Sequence, residues 1–122
     1  MAGTILWSGA YYVNENQTVT LSEKVSKQPS GISLVFSEYY DGEAKNQTFI
    51  SFFISKKLVA THAGKGHSFV LCTSNFGYMG TKYLYISDDK ITGHANNALT
   101  GTASTGVKYT NNRFVLRYVI GV

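Results

Sequence analysis

The chain has 122 residues, 43% hydrophobic and 15% charged, with a formal net charge of +4. That is the size of one domain around one core, and residues 1–122 read as a single unit without linker, internal repeat or low-complexity block. Charges of both signs are interspersed, as in Glu23-Lys24 and Asp88-Asp89-Lys90, which excludes the clustered basic stripe of a nucleic-acid binder. No stretch approaches the ~20 apolar residues of a membrane span. The start, MAGTILWSG, lacks the basic and long apolar segments of a secretory signal, so synthesis in the cytoplasm is expected.

In chain order, short β-like runs recur: TILW, QTVTL, ISLVFSEYY, TFISFFIS, KLVA, HSFVLCT, TKYLYIS, KITG and RFVLRYVIG. Turn-forming clusters separate them, among them QPSG around Pro29, YYDGEAKNQ, HAGKG, SNFGYMG, SDD and NNALTGTASTG. No window of a dozen residues carries the i, i+3, i+4, i+7 apolar stripe of a helix. The expected fold is all-β, an antiparallel β-sandwich of jelly-roll type. Alternation in ISLVFSEYY separates Ile32, Leu34 and Phe36 from Ser33, Val35 and Ser37, and TKYLYIS separates Leu84 and Ile86 from Tyr83 and Tyr85. The segment from Gly93 to Gly106 reads as a long loop without apolar anchors, of the kind that is functional or mobile.

The last ten residues, RFVLRYVIGV, pose a separate question. With period two, Phe114, Leu116, Tyr118 and Ile120 form one face, while Val115 and Val119 interrupt the arginines on the other. A half-exposed strand alternates more strictly. Both faces are therefore expected to be covered, either within a central strand or against further copies of the chain. The second reading makes Phe114, Val115, Leu116, Tyr118, Val119 and Ile120 an oligomer interface.

Catalytic and metal constellations are weak. Cys72 is alone in an apolar run and reads as a buried, inert thiol. His62, His67 and His94 lack cysteine or acidic partners at ligand spacing, so no metal and no cofactor is expected. HAGKGH leads into a strand and not the helix a phosphate loop requires. No nucleophile elbow is present, and no acid pair is placed by the pattern to flank a cleft. An enzyme is not expected.

A recognition surface remains. GAYYVNEN, EYYDGE, SNFGYMG and GHANN set aromatic residues beside Asn, Asp or Gly in expected loops. A sugar's C–H face stacks on an aromatic ring, and planar amides or carboxylates take its hydroxyl pairs. The candidates are Tyr11, Tyr12, Tyr39, Tyr40, Phe76 and Tyr78 for stacking, with Asp41, His94, Asn96 and Asn97 for hydroxyls. Lys45, Lys56, Lys57, Lys65 and Lys82 form a slight basic excess suited to an anionic polymer.

The stretches ILWSGAYYVNENQTVTLSEKVSKQPSGISLVFS, NQTFISFFISKKLV, GTKYLYISDDKITGHANN and NNRFVLRYVIGV together resemble the C-terminal head domains of tail-fibre and baseplate receptor-binding proteins. These belong to phages and prophages of Gram-positive bacteria. The resemblance runs from Leu6 to Val122, with LWSG, KYLYISDDKITGH and RYVIGV as its most specific parts. It implies a trimeric β-sandwich head at the virion's tail tip that touches the host cell surface. The implied partners are wall polysaccharide or teichoic acid, further copies as a homotrimer, and other phage tail proteins. It carries over no individual receptor-binding residue. A longer natural protein with an upstream shaft is one expectation, a complete small protein the other. Two alternatives stand beside it: a structural fibre or virion component that binds no sugar, and a carbohydrate-binding module of a wall-degrading enzyme.

Overall fold

A computed structural model describes residues 2–122. The chain is nearly all-β, and every strand pairing among the described residues is antiparallel. The strands are β1 (Ile5–Tyr11), β2 (Val19–Thr20), β3 (Gly31–Tyr40), β4 (Glu43–Ala44), β5 (Ile50–Ser55), β6 (Lys65–Cys72), β7 (Met79–Ile86), β8 (Lys90–Thr92), β9 (Thr100–Thr102), β10 (Lys108–Thr110) and β11 (Phe114–Gly121). One sheet runs β1-β11-β3, with β4 and β5 both pairing with β3; a second runs β2-β8-β7-β6; β9 and β10 form a separate ribbon. One helix, α1 (Lys56–Thr61), stands where KLVA was expected to be strand. Its start is set by Ser55, whose hydroxyl accepts from the Leu58 amide at 3.1 Å and satisfies a first-turn donor. Only Val59 of this helix is buried, too little apolar patterning to announce a helix in the sequence.

Both larger sheets feed one apolar cluster. Ile32, Leu34, Phe36, Phe114, Leu116 and Val119 come from the first, and Phe69, Leu71, Leu84, Ile86 and Ile91 from the second. The faces expected for ISLVFSEYY and TKYLYIS are those observed. Cys72, expected to be buried, is free and only half-buried at the end of β6.

β11 answers the question posed by its sequence. It is a central strand, paired with β1 on one side and β3 on the other. Between Leu116 and Tyr118 the register with β3 slips: Leu116 faces Phe36 and Tyr118 faces Val35, so Arg117 is an extra residue. Such a bulge reverses the side-chain phase. Phe114 and Leu116 point into the core before it; Val119 does so after it, while Tyr118 and Ile120 are half-buried outside the core cluster. The expected period-two face of Phe114, Leu116, Tyr118 and Ile120 is therefore corrected. Of the six residues expected at an oligomer interface, Phe114, Val115, Leu116 and Val119 are enclosed by the chain's own fold, while Tyr118 and Ile120 stay half-buried. Arg117 is anchored, donating to Ser37 Oγ and the Lys45 carbonyl at 3.0 Å each and to Asn46 Oδ1 at 2.9 Å.

The bulge makes a direct prediction. Val119→Ala loses about 2 kcal/mol of stability, the scale for fully burying a valine, and Ile120→Ala loses less although it removes more atoms. Urea unfolding of the two variants measures this, and the reverse order would contradict the phase change.

Candidate functional site

The second sheet is incomplete on one side. β7 pairs with β6 along its whole length but with β8 only at Tyr85 and Ile86. The backbone from Met79 to Tyr83 thus lacks a strand neighbour there, and unpaired backbone groups are costly when enclosed. Two asparagines fill the gap. Asn97 Oδ1 accepts from the Tyr83 amide at 2.8 Å, while its Nδ2 donates to the carbonyls of Tyr83 at 2.9 Å and Val13 at 2.8 Å. Asn111 Oδ1 accepts from the Thr81 amide at 2.7 Å, and its Nδ2 donates to the Asn96 carbonyl at 2.7 Å.

Lys82 lies between these contacts on the inward face of β7, fully buried. Its Nζ donates to the carbonyls of Asn97 at 2.6 Å and Asn111 at 2.9 Å, and lies 5.3 Å from the centroid of the Tyr12 ring. Lys82 is thus removed from the expected surface excess of cations. Burial depresses its pKa from 10.5 to about 7.

Above this network a cleft of about 290 Å³ is lined by Tyr12, Tyr39, Tyr40, Asp41, Gly42, Tyr78, Thr110, Asn112 and Arg113. Each wall has a local cause. Tyr39 and Tyr40 end β3, and the two-residue turn Asp41-Gly42 returns the chain into β4 with both residues at positive φ, 55° and 78°. Asp-Gly suits this tight hairpin because both positions require left-handed backbone. Tyr12 precedes Val13, which is also left-handed at φ 58°, an unusual conformation for a β-branched residue. Val13 is fixed by its amide donating to Gln17 Oε1 at 2.9 Å and by its carbonyl, which accepts from Asn97 and from the His94 amide. A side chain on Gly93 would run into that same carbonyl.

Arg113 is the cation of the cleft. Its guanidinium lies 4.0 Å from the Tyr40 ring centroid and 3.8 Å from that of Tyr78, with Nε and Nη2 each 2.9 Å from Glu38 Oε2. Burial pushes the Glu38 carboxyl up, but hydrogen bonds from Thr48 and Arg113 and the Arg113 charge outweigh it, so its pKa falls below the usual 4.5. Lys45 also approaches the Tyr40 ring, at 4.6 Å, and Gln47 donates to the Tyr40 hydroxyl at 3.1 Å. Tyr40 is therefore committed to holding the wall. Tyr78, 42% exposed, retains open ring surface. Tyr12 and Tyr39 meet edge to face at 5.4 Å, and burial, followed by the Tyr39 charge and hydrogen bond, raises the Tyr12 pKa and keeps its hydroxyl protonated.

Of the expected recognition residues, the cleft gathers Tyr12, Tyr39, Tyr40, Asp41 and Tyr78. Tyr11 lies instead within β1, packed on Trp7 at 5.1 Å and against the core. Phe76 projects from the turn before β7, 75% exposed and outside the cleft lining. His94 caps the short turn Ala95–Ala98, its Nδ1 accepting from the Asn96 amide at 3.1 Å. Asn96 lines a second hollow beside Leu99, Val107 and Tyr109. Asn97 is corrected as a ligand residue, because it is buried with both side-chain polar atoms bonded internally. The Gly93–Gly106 segment is anchored after all, by this amide in place of an apolar side chain. Arg113, Asn112 and Thr110 were not singled out in the sequence. RFVL reads locally as the start of a strand, and only the fold brings its arginine to Glu38 and the tyrosines.

His62 is exposed and His67 is half-buried, stacked on Phe69 at 6.5 Å. Among the described residues no group of three or more His, Cys, Asp or Glu side chains comes together. No helix among them is long and apolar enough to cross a membrane. No protein-family model matches the chain, and neither a curated protein nor a solved structure matches it.

The lowered Lys82 pKa has a thermodynamic consequence. Between pH 7 and 10.5 the unfolded chain holds a proton on Lys82 that the folded chain has released, so stability rises with pH across this window. Below pH 7 the cost of burying the ammonium is fully present. Urea midpoints measured from pH 6 to 9 are expected to climb in the wild type; a flat or falling series would contradict a buried, depressed lysine.

Proposed function

We propose that this domain is the receptor-binding head of a phage tail-fibre or baseplate protein, a two-layered β-sandwich of jelly-roll type that binds a saccharide of the host cell wall and performs no catalysis. The observation that carries the reading is the cleft. Tyrosines from three separate chain segments, a carboxylate and an arginine surround one shallow hollow. Tyr78 and Tyr39 offer ring surface to a sugar, while Asp41, Asn112 and the Tyr12 hydroxyl take hydroxyl groups. Glu38 occupies Nε and Nη2 of Arg113, which leaves Nη1 for an anionic substituent such as the phosphate of a teichoic acid.

The resemblance in LWSG, KYLYISDDKITGH and RYVIGV supports the same reading, in which the head sits at the virion's tail tip among other tail proteins. In this reading single sites bind weakly and many copies engage together. Homotrimer formation, which the resemblance implies, has to use surface that the fold leaves open, such as Ile5 and Phe53, which are 54% and 56% exposed, and not the enclosed residues of β11.

Sedimentation of the domain with purified Gram-positive cell walls tests the proposal. Tyr39→Ala and Tyr78→Ala, each shown by thermal melting to remain folded, are expected to weaken wall binding at least about tenfold, or ~1.4 kcal/mol. Wild-type binding by both variants would remove the cleft as the site.

A further inference from the structure

We propose that Lys82 is a buried positioning residue of the tyrosine cleft, and that the proton on its Nζ regulates how the cleft walls stand. The inference rests on the reading of the cleft as the binding site, but its physical content concerns the protein alone. One ammonium lies against two of the segments that line the cleft, at Tyr12 and just before Asn112. The Tyr12 ring lies 5.3 Å from it. The Asn111 carbonyl it holds immediately precedes Asn112 and Arg113, both in the cleft wall. The Asn97 carbonyl belongs to the residue whose side chain fixes Val13, next to Tyr12.

Protonated Nζ has three hydrogens, enough for two carbonyls and the electron-rich ring face. The neutral amine has two, and its lone pair is repelled by whichever acceptor it faces. Loss of the proton therefore releases the Tyr12 ring first. Both hydrogen-bond partners of Nζ are backbone carbonyls, and neither is a carboxylate that would keep it charged. The titratable and charged groups on neighbouring elements are Tyr12, Lys65, His67 and the free Cys72 on β6, Lys90 on β8, His94, Lys108 and Tyr109 on β10, and Arg113, with Tyr83 and Tyr85 on β7 itself. None of these is a carboxylate. Burial is accordingly the cause of the depression to about 7. The fold as a whole gains from deprotonation while the cleft wall loses its anchor.

Nuclear magnetic resonance of the wild-type domain, with no ligand present, tests this from pH 6 to 9. The Lys82 Cε resonance is expected to titrate with a midpoint near 7, against 10.5 for an ordinary lysine. The Tyr12 ring and Arg113 Nε resonances are expected to move with that same midpoint, while Tyr118, which lies on β11 outside the cleft lining, stays still. The His94 ring is followed in the same spectra. A Lys82 midpoint above pH 9, or Tyr12 and Arg113 signals that stay fixed or follow His94, would overturn the proposal. A failed wall-binding assay beside a coupled titration would sink the saccharide reading and leave this one intact.

Discussion

A charge buried without a counter-charge constrains everything around it. An ammonium removed from water needs its hydrogens satisfied at once, since leaving one unmet costs more than a typical hydrogen bond contributes. Lys82 meets that demand with carbonyls contributed by two segments that have no regular secondary-structure pairing with β7 at that point. Those segments must therefore sit where the lysine holds them. The asparagine side chains add the second half of the constraint by completing the open backbone of β7. Among the described residues no buried side-chain nitrogen or oxygen lacks a partner, so this polar belt is saturated. A saturated network of this kind specifies one arrangement where apolar packing alone would tolerate several.

The cleft follows from that arrangement and from β3. β3 is long enough to serve two neighbours in succession, pairing with β5 over Gly31–Phe36 and with β4 at Tyr39 and Tyr40. Its far end carries two tyrosines past the core to the rim, and the Asp41-Gly42 turn stops it there. Arg113 reaches the same rim from the end of the segment that Asn111 anchors. Placed between Tyr40 and Tyr78 and paired with the buried Glu38 carboxylate, it joins the two sheets' rims. The result is a wall of rigid aromatic groups with few rotatable bonds to order on binding, which lowers the entropic cost of engaging a ligand.

The strand order of hydrophobic and polar residues was legible wherever a strand kept one phase, as in Ile32, Leu34 and Phe36. It was misleading in β11, because a single inserted residue makes both faces look apolar and imitates a strand covered by a partner. Lys82 read as a surface cation for a related reason. Its inward position is set by alternation with Leu84 and Ile86, but the carbonyls that make the position tolerable lie 15 and 29 residues away in the chain. Asn97 and Asn96 are adjacent and chemically identical, yet one is enclosed scaffold and the other faces solvent. Residue type could mark both as polar candidates and could not separate them. The tyrosine pairs were visible as a group because they cluster beside Gly, Asp and Asn; their arginine partner was not, since its contacts are made only through the fold.

Amide hydrogen exchange at Thr81 and Tyr83 tests most directly whether side-chain amides and a buried ammonium organise this end of the molecule. With Asn111 and Asn97 standing in for a missing strand, both amides are expected to exchange as slowly as those inside the β6–β7 ladder. Exchange at the rate of an open sheet edge would contradict the account.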